Sequence, residues 1–526
     1  MNEIVLKIGG KVCSLGISRL RVAQQINAIP SARLELQIPT DSKDTLAQSA
    51  VADISPGAAV LIELDGTPLF SGTLTQKRLL LRGKLWSVRL EARHVLQKLA
   101  FYPHSRVFRQ QDDGTILNAL FQQAGVKMTR TATPSATRHD QMVQFRVSDW
   151  QFILSRLFAT NSWLLPDAAS SSVTVSQIAA PASAAHTLER YAEYSDYTLH
   201  EIDLTFDNRF TPDSLSLRGW DVAEQKLGSA QKSGSDTFHP WKAAGQGVTL
   251  SRQPDYQLAF STMPETQLNT LSRSWINHQQ LTGVQGRIVL DGTRDFRLGE
   301  SVKLDKFGAG LDGTAMLTGI NQLFNTEDGW RSELLAGLPA DFTDPVPSVQ
   351  SLHIATVADF TVDPEQLDRI PISLPALNLP GEHIFARLGK PWASKASGFC
   401  FYPEPGDEVV VGFIESDPRY PVILDSLHNP KNSAPFPPDA QNLRKELVVS
   451  KDDYTAQLQI NTEEKTVTLA SGNNSLTLTA DQNFQLTTPD EMTFTAKSIS
   501  FQASEKLSAS GESQVEITSA SINLKK

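Results

Sequence analysis

From Gln457 to the end of the chain, apolar residues come in pairs two positions apart, and the pairs recur every seven to nine positions. They are Leu458/Ile460, Val467/Leu469, Leu476/Leu478, Phe484/Leu486, Met492/Phe494, Ile499/Phe501, Leu507/Ala509, Val515/Ile517 and Ile522/Leu524, separated by Ser, Thr, Asn and Gln. Strand side chains alternate, so such a pair lies on one face of a short strand. A unit of about eight residues is too short for a complete coil of a single-chain β-helix, and two apolar side chains cannot enclose a core. Repeat units of this kind gain stability only by stacking and sharing a core. Three chains wound about one axis, each forming one side of a triangular prism, satisfy that need. Val467, Leu469, Leu476, Leu478, Phe484, Leu486, Met492, Phe494, Ile499, Phe501, Val515 and Ile517 are then the expected trimer core. A flexible tail is disfavoured, because disordered segments are poor in β-branched and aromatic residues and keep no register. A single-chain solenoid or a meander of tight hairpins is disfavoured too, because only Gly472, Gly511 and Pro489 supply turns.

Composition narrows the rest. At 526 residues with 40 % hydrophobic content, the chain is long enough for several domains with sizeable cores. Its net charge of −10 argues against broad nucleic-acid binding, which needs a basic face. Cys13 and Cys400 lie in different expected domains, so buried free thiols are expected rather than a disulfide framework, and no Cys/His spacing suggests zinc. The N-terminus alternates Ile4, Leu6 and Ile8 against polar neighbours, as a strand does and a signal peptide does not. No window approaches the length of a membrane span, so assembly in the cytoplasm is expected.

Along the chain, five regions are expected. Residues 1–104 read as a small antiparallel barrel, with hairpin turns at Asp65-Gly66 and Arg82-Gly83. Residues 105–198 read as a mixed α+β insert. There Asp112 and Asp113 precede a helix carrying Ile116, Leu117, Leu120 and Phe121, and Ser148 is the expected N-cap of a second helix with Phe152, Ile153 and Leu157. Residues 199–345 return to strand as a second barrel, interrupted by a helix over Leu268–Leu281. A Pro- and Asp-rich linker leads to a strand-rich unit, 351–435, and the repeat occupies 446–526.

Residues 398–436 carry a long motif: Pro403, Gly406, Asp407, Glu408, Val409, Gly412, Phe413, Asp417, Pro418, Arg419, Pro421, Asn429 and Pro435. It resembles the OB-fold segment of VgrG-type spike proteins of contractile injection systems. Read from its residues alone, Pro405-Gly406-Asp407 is a turn, Glu408–Ile414 a barrel strand and Ser416-Asp417-Pro418 a tight corner, as a five-stranded OB barrel requires. Phe70-Ser71-Gly72, Asp149-Trp150 with Phe152 and Leu157, and Leu298-Gly299 with Val302 resemble landmarks of the same family's hub.

The resemblance implies a mainly β protein: a hub of two β-barrels and an α+β insert, an OB-fold and a trimeric C-terminal β-helix. It implies a homotrimer whose pseudo-sixfold hub meets a hexameric tube protein within a baseplate. It also implies a PAAR-repeat tip protein on Ile522, Leu524, Lys525 and Lys526, effector cargo, and transient contact with a target membrane. It supplies no active site, cofactor or metal, and no nucleic-acid partner. Two departures matter. No lysozyme domain fits between the OB motif and the repeat, and no histidine follows His428, so the histidine iron site of some spikes has no counterpart. The short spike favours an extracellular phage-tail-like system over a type VI apparatus.

Catalytic readings are weaker. The acidic pairs Asp112/Asp113, Glu463/Glu464 and Asp490/Glu491 fall at turns or helix starts. His278 and His428 have no nucleophile motif beside them. A spike-borne cell-wall hydrolase and a receptor-binding tail fibre or adhesin are the alternatives to a mechanical spike.

Overall fold

The protein is described here from a computed structural model. It describes the chain except residues 1–2, 39–50, 84, 131–136, 180–182, 192–195, 208, 210–211, 235–237, 244–254, 309, 340–345, 482 and 524–526. Two units result, residues 1–427 and 428–526.

In the first unit, the strands of the two expected barrels join one 14-stranded sheet. The junction is antiparallel pairing of Gly16–Gln25 with Gly313–Asn325, in which Leu20 faces Phe324 and Val22 faces Gln322. Each half still encloses its own core. Leu34, Leu36, Ile62, Phe70 and Val88 pack one, and Ile288, Leu290, Val302, Leu304 and Leu334 the other. The hairpin at Asp65-Gly66 forms as its sequence predicts, with both residues at positive φ (49° and 75°).

Helix α1 (Asp113–Gln123) starts where Asp112 accepts a hydrogen bond from Thr115 N at 2.8 Å. Helix α2 (Asp149–Ala159) has a capping box in which Ser148 Oγ accepts from Gln151 N and Gln151 Oε1 accepts from Ser148 N. Ile116, Leu117, Leu120, Phe121, Phe152, Ile153 and Leu157 share one core. Helix α3 (Glu265–Thr282) covers the expected Leu268–Leu281 and adds a turn at its start, where Pro264 sets the entry conformation.

His353–Val357, Ile370–Ser373, Ile384–Leu388, Glu408–Phe413 and Pro421–Leu427 close a five-stranded barrel. Its corner turns through Glu415 and Ser416, both at positive φ. The barrel is keyed into the α+β region. Val143 and Phe145 belong to the barrel's core, Phe385 N donates to Gln141 Oε1 at 3.0 Å, and Gln141 Nε2 donates to Arg419 O at 2.9 Å. Arg419 is buried. It pairs with Asp417 at 2.7 Å and donates to Gln267 Oε1 on α3 at 2.9 Å. The cysteines need one correction. Both are free, but only Cys13 is partly buried; Cys400 is exposed beside the short hairpin Ala393–Ser394/Ser397–Gly398, whose neighbours Phe399 and Phe401 are exposed as well.

In the second unit, Arg444–Lys451, Tyr454–Asn461, Thr466–Ser471, Asn474–Thr479 and Phe484–Thr487 form a five-stranded antiparallel meander. The sequence reading disfavours a meander for want of turn residues, and here it is corrected. Asp452 and Lys465 take positive φ (51° and 52°) without being glycine, alongside Gly472 (57°). Asn461 Oδ1 accepts from the backbone N of Glu463 and Glu464, closing the longer turn. Beyond Thr487, no strand forms among the described residues of the single chain.

Candidate functional site: an uncovered apolar ladder

The meander sets the apolar pairs of successive strands opposite one another. One row runs Leu447, Leu458, Leu469, Leu476, Leu486, and the next Lys445, Ile460, Val467, Leu478, Phe484. Partners in register share a face, so two rows cross the five strands side by side, apolar throughout except for Lys445 on the first strand. The opposite face carries Glu446, Gln459, Thr468, Thr477 and Gln485 in register, with Thr468 and Thr477 hydroxyls 3.3 Å apart. Burial alone would raise the Glu446 carboxyl, but hydrogen bonds from Gln459 and Arg444 hold it below its usual range.

Among the described residues of this unit, the apolar face is left largely exposed. Leu469 is 56 % exposed and Phe484 66 %, whereas Leu36, Ile62 and Phe70 of the first unit are fully buried. Met492, Phe494, Ile499, Phe501, Val515, Ile517 and Ile522 are exposed as well, and Phe494 and Phe501 meet edge-on with ring centres 6.3 Å apart. Covering one such side chain stabilises a fold by about 1.5–3 kcal/mol, and continuous uncovered rows of this kind mark an interaction surface. The predicted residues from Val467 to Leu486 are thus brought together. Those from Met492 to Ile522 are not paired in the single chain, and Leu524, Lys525 and Lys526 lie outside the described residues. The sequence reading missed Leu447. Its signal was the alternation Leu447/Val449, two residues apart like every later pair.

Of the candidate acid–base groups, Asp112, Asp113 and His278 have structural partners. Asp113 is sealed between Arg156 (2.5 Å to Nε) and His139 (3.0 Å to Nε2). Burial opposes its charge, but the Arg156 guanidinium and His139 hold it well below the carboxylate range. His278 is half-buried on α3, donates from Nδ1 to Ser274 O at 2.8 Å, and is pushed below its usual range by desolvation. Glu463, Glu464, Asp490 and Glu491 are exposed. Among the described residues, no group of three His, Cys, Asp or Glu is placed to hold a metal, and no helix is long and apolar enough to cross a membrane.

Comparison with known proteins agrees with this architecture. No curated protein matches the sequence at a significant level. The VgrG-containing Francisella structure "PdpA-VgrG Complex, Lidded" superposes with a TM-score of 0.57 at 12 % identity, covering 93 % of this chain and 80 % of that one. The E. coli c3393 protein is described as a component of the type VI secretion system with structural similarity to the T4 tail proteins gp27 and gp5. It superposes with a TM-score of 0.52 at 10 % identity, covering 80 % and 99 %. At such identities the likeness is one of fold. Residues 353–428 match the type VI secretion system/phage-baseplate injector OB domain, coinciding with the closed barrel. Residues 3–325, more than half of the chain, match the Alg8 N-terminal domain. The chain therefore belongs to the Alg8 N-terminal domain family, and it joins that region to an injector OB domain in the fold of VgrG-type hub and spike proteins.

Proposed function

We propose that this protein is the hub-and-spike subunit of a contractile injection system and works mechanically rather than as an enzyme. Three copies share the apolar rows of residues 446–526 as one prism, and the hub end docks on a hexameric tube within the baseplate. The carrying observation is the pair of in-register apolar rows left uncovered by their own chain. A side chain such as Leu469 needs a neighbour that the chain does not provide, and self-association in a closed ring supplies an identical one to every copy. The VgrG-type fold and the injector OB domain support the assignment to this class of machine.

In this reading the spike transmits the force of contraction to a small area of the target envelope. Strands paired on both sides leave no free edges to open under load. A PAAR-repeat protein caps Ile522, Leu524, Lys525 and Lys526, and effectors ride on the tip or in the tube. The particle assembles in the cytoplasm and acts outside the cell as a phage-tail-like device.

Electron microscopy of particles produced with Phe494→Asp tests this. Three like charges on one axis should give particles lacking an ordered spike and unable to puncture target cells. Normal spikes and full puncturing activity in that variant would refute the assignment.

A further inference from the structure

The outward face of the N-terminal sheet carries a charge pattern that the proposed spike does not use. Register sets Arg19, Glu35, Arg89 and Arg78 in one row across four strands, and Arg21, Arg33, Glu91 and Gln76 in the adjacent row. Two of these juxtapositions oppose like charges directly: Arg21 against Arg33, and Arg78 against Arg89. Like charges opposite one another destabilise a sheet. The glutamates relieve this only in part. Arg89 Nε lies 3.2 Å from Glu35, Arg33 Nε lies 3.4 Å from Glu91, and Arg21 reaches Glu333 at 3.7 Å. Arg19, Arg78 and Arg82 are exposed and have no carboxylate partner among the described residues. The face borders an open groove of about 980 Å³. In a chain of net charge −10, this is a local excess of cations kept at an electrostatic cost.

We propose that this face docks an acidic protein surface, with carboxylates meeting Arg19, Arg78 and Arg82 and relieving the repulsion between Arg78 and Arg89. A protein partner fits better than a nucleic acid. Glu35, Glu91 and Glu327 line the same groove and would repel an unbroken phosphate backbone, whereas a protein surface sets carboxylates against the arginines and neutral or basic groups against the glutamates. The inference is independent of the C-terminal prism.

The test uses the full-length chain, an oligoglutamate peptide and a short DNA duplex as probes, and binding measured at low and physiological salt. The peptide should bind with strong salt dependence. Arg19→Ser/Arg78→Ser/Arg82→Ser should weaken it by about tenfold or more, while a control Lys431→Ser leaves it unchanged. The single variant Arg78→Ser should melt at the same temperature as the parent or higher, because it removes a repulsion; this separates lost binding from lost folding. Peptide binding unchanged in the triple variant would overturn the proposal. So would tighter binding of the duplex through the same arginines, or a lower melting temperature for Arg78→Ser.

Discussion

The two units solve the problem of apolar surface in opposite ways. In residues 1–427, strands contributed by distant parts of the chain close over their own side chains, and Phe70, Phe121, Phe152 and Ile62 are fully buried. In residues 428–523, the same strand alternation and comparable apolar side chains leave Phe484, Phe501 and Ile517 more than half exposed. The difference is one of dimension. The first unit folds back in layers, so each apolar face meets another, whereas the described strands of the second unit all lie in one sheet. Alternation alone makes an amphipathic strand; a core requires a second face, and among the described residues the buried cores all belong to the first unit.

The contrast breaks most sharply under substitution of the ladder. Val467→Asp/Leu469→Asp should reduce an associated species to single chains while the melting of the first unit stays put, measured by light scattering and calorimetry. Loss of the hub transition in that variant would erase the distinction between units. The converse change, Phe121→Ala, should destabilise the first unit by about 3–5 kcal/mol, by the same amount at every protein concentration, because its neighbours are all in one chain.

Acid sharpens the contrast further. Burial would raise the Asp363 carboxyl, but hydrogen bonds from Arg369 and from the backbone of Leu367, Arg369 and Glu365 hold it down to about 2. A carboxylate depressed in the folded state adds stability above its unfolded value, near about 4, and loses it as pH falls through the folded value. The first unit's melting temperature should therefore drop between about pH 4 and pH 2, and Asp363→Asn should flatten that drop. The smallest effect concerns the thiols. Cys400 should react with a thiol reagent in the native state well before Cys13, whose thiol is raised by burial.

Local chemistry made much of this architecture readable. Ser148 with Gln151 marks a helix start because both capping groups lie within four residues, and Asp112 does the same for α1. The OB corner is legible because Asp417-Pro418 constrains its own backbone. Long-range pairing is not written locally. Nothing near Leu20 or Phe324 announces that they face each other, and so two expected barrels share one sheet. The buried partnership of Arg419 with Gln267, and the arginine rows, depend likewise on which strands and helices become neighbours. In the C-terminal segment, the pairs that matter were visible from their spacing. Their meander pairing was not, because Asp452 and Lys465 adopt the left-handed turn conformation usually left to glycine.

The central claim is that the eight-residue ladder needs other copies of itself. Its most direct test is the mass of the full-length protein in solution over a dilution series. The account predicts three copies per particle, persisting to low concentration. A folded single chain at micromolar concentration, with residues 444–523 ordered by hydrogen exchange, would contradict it.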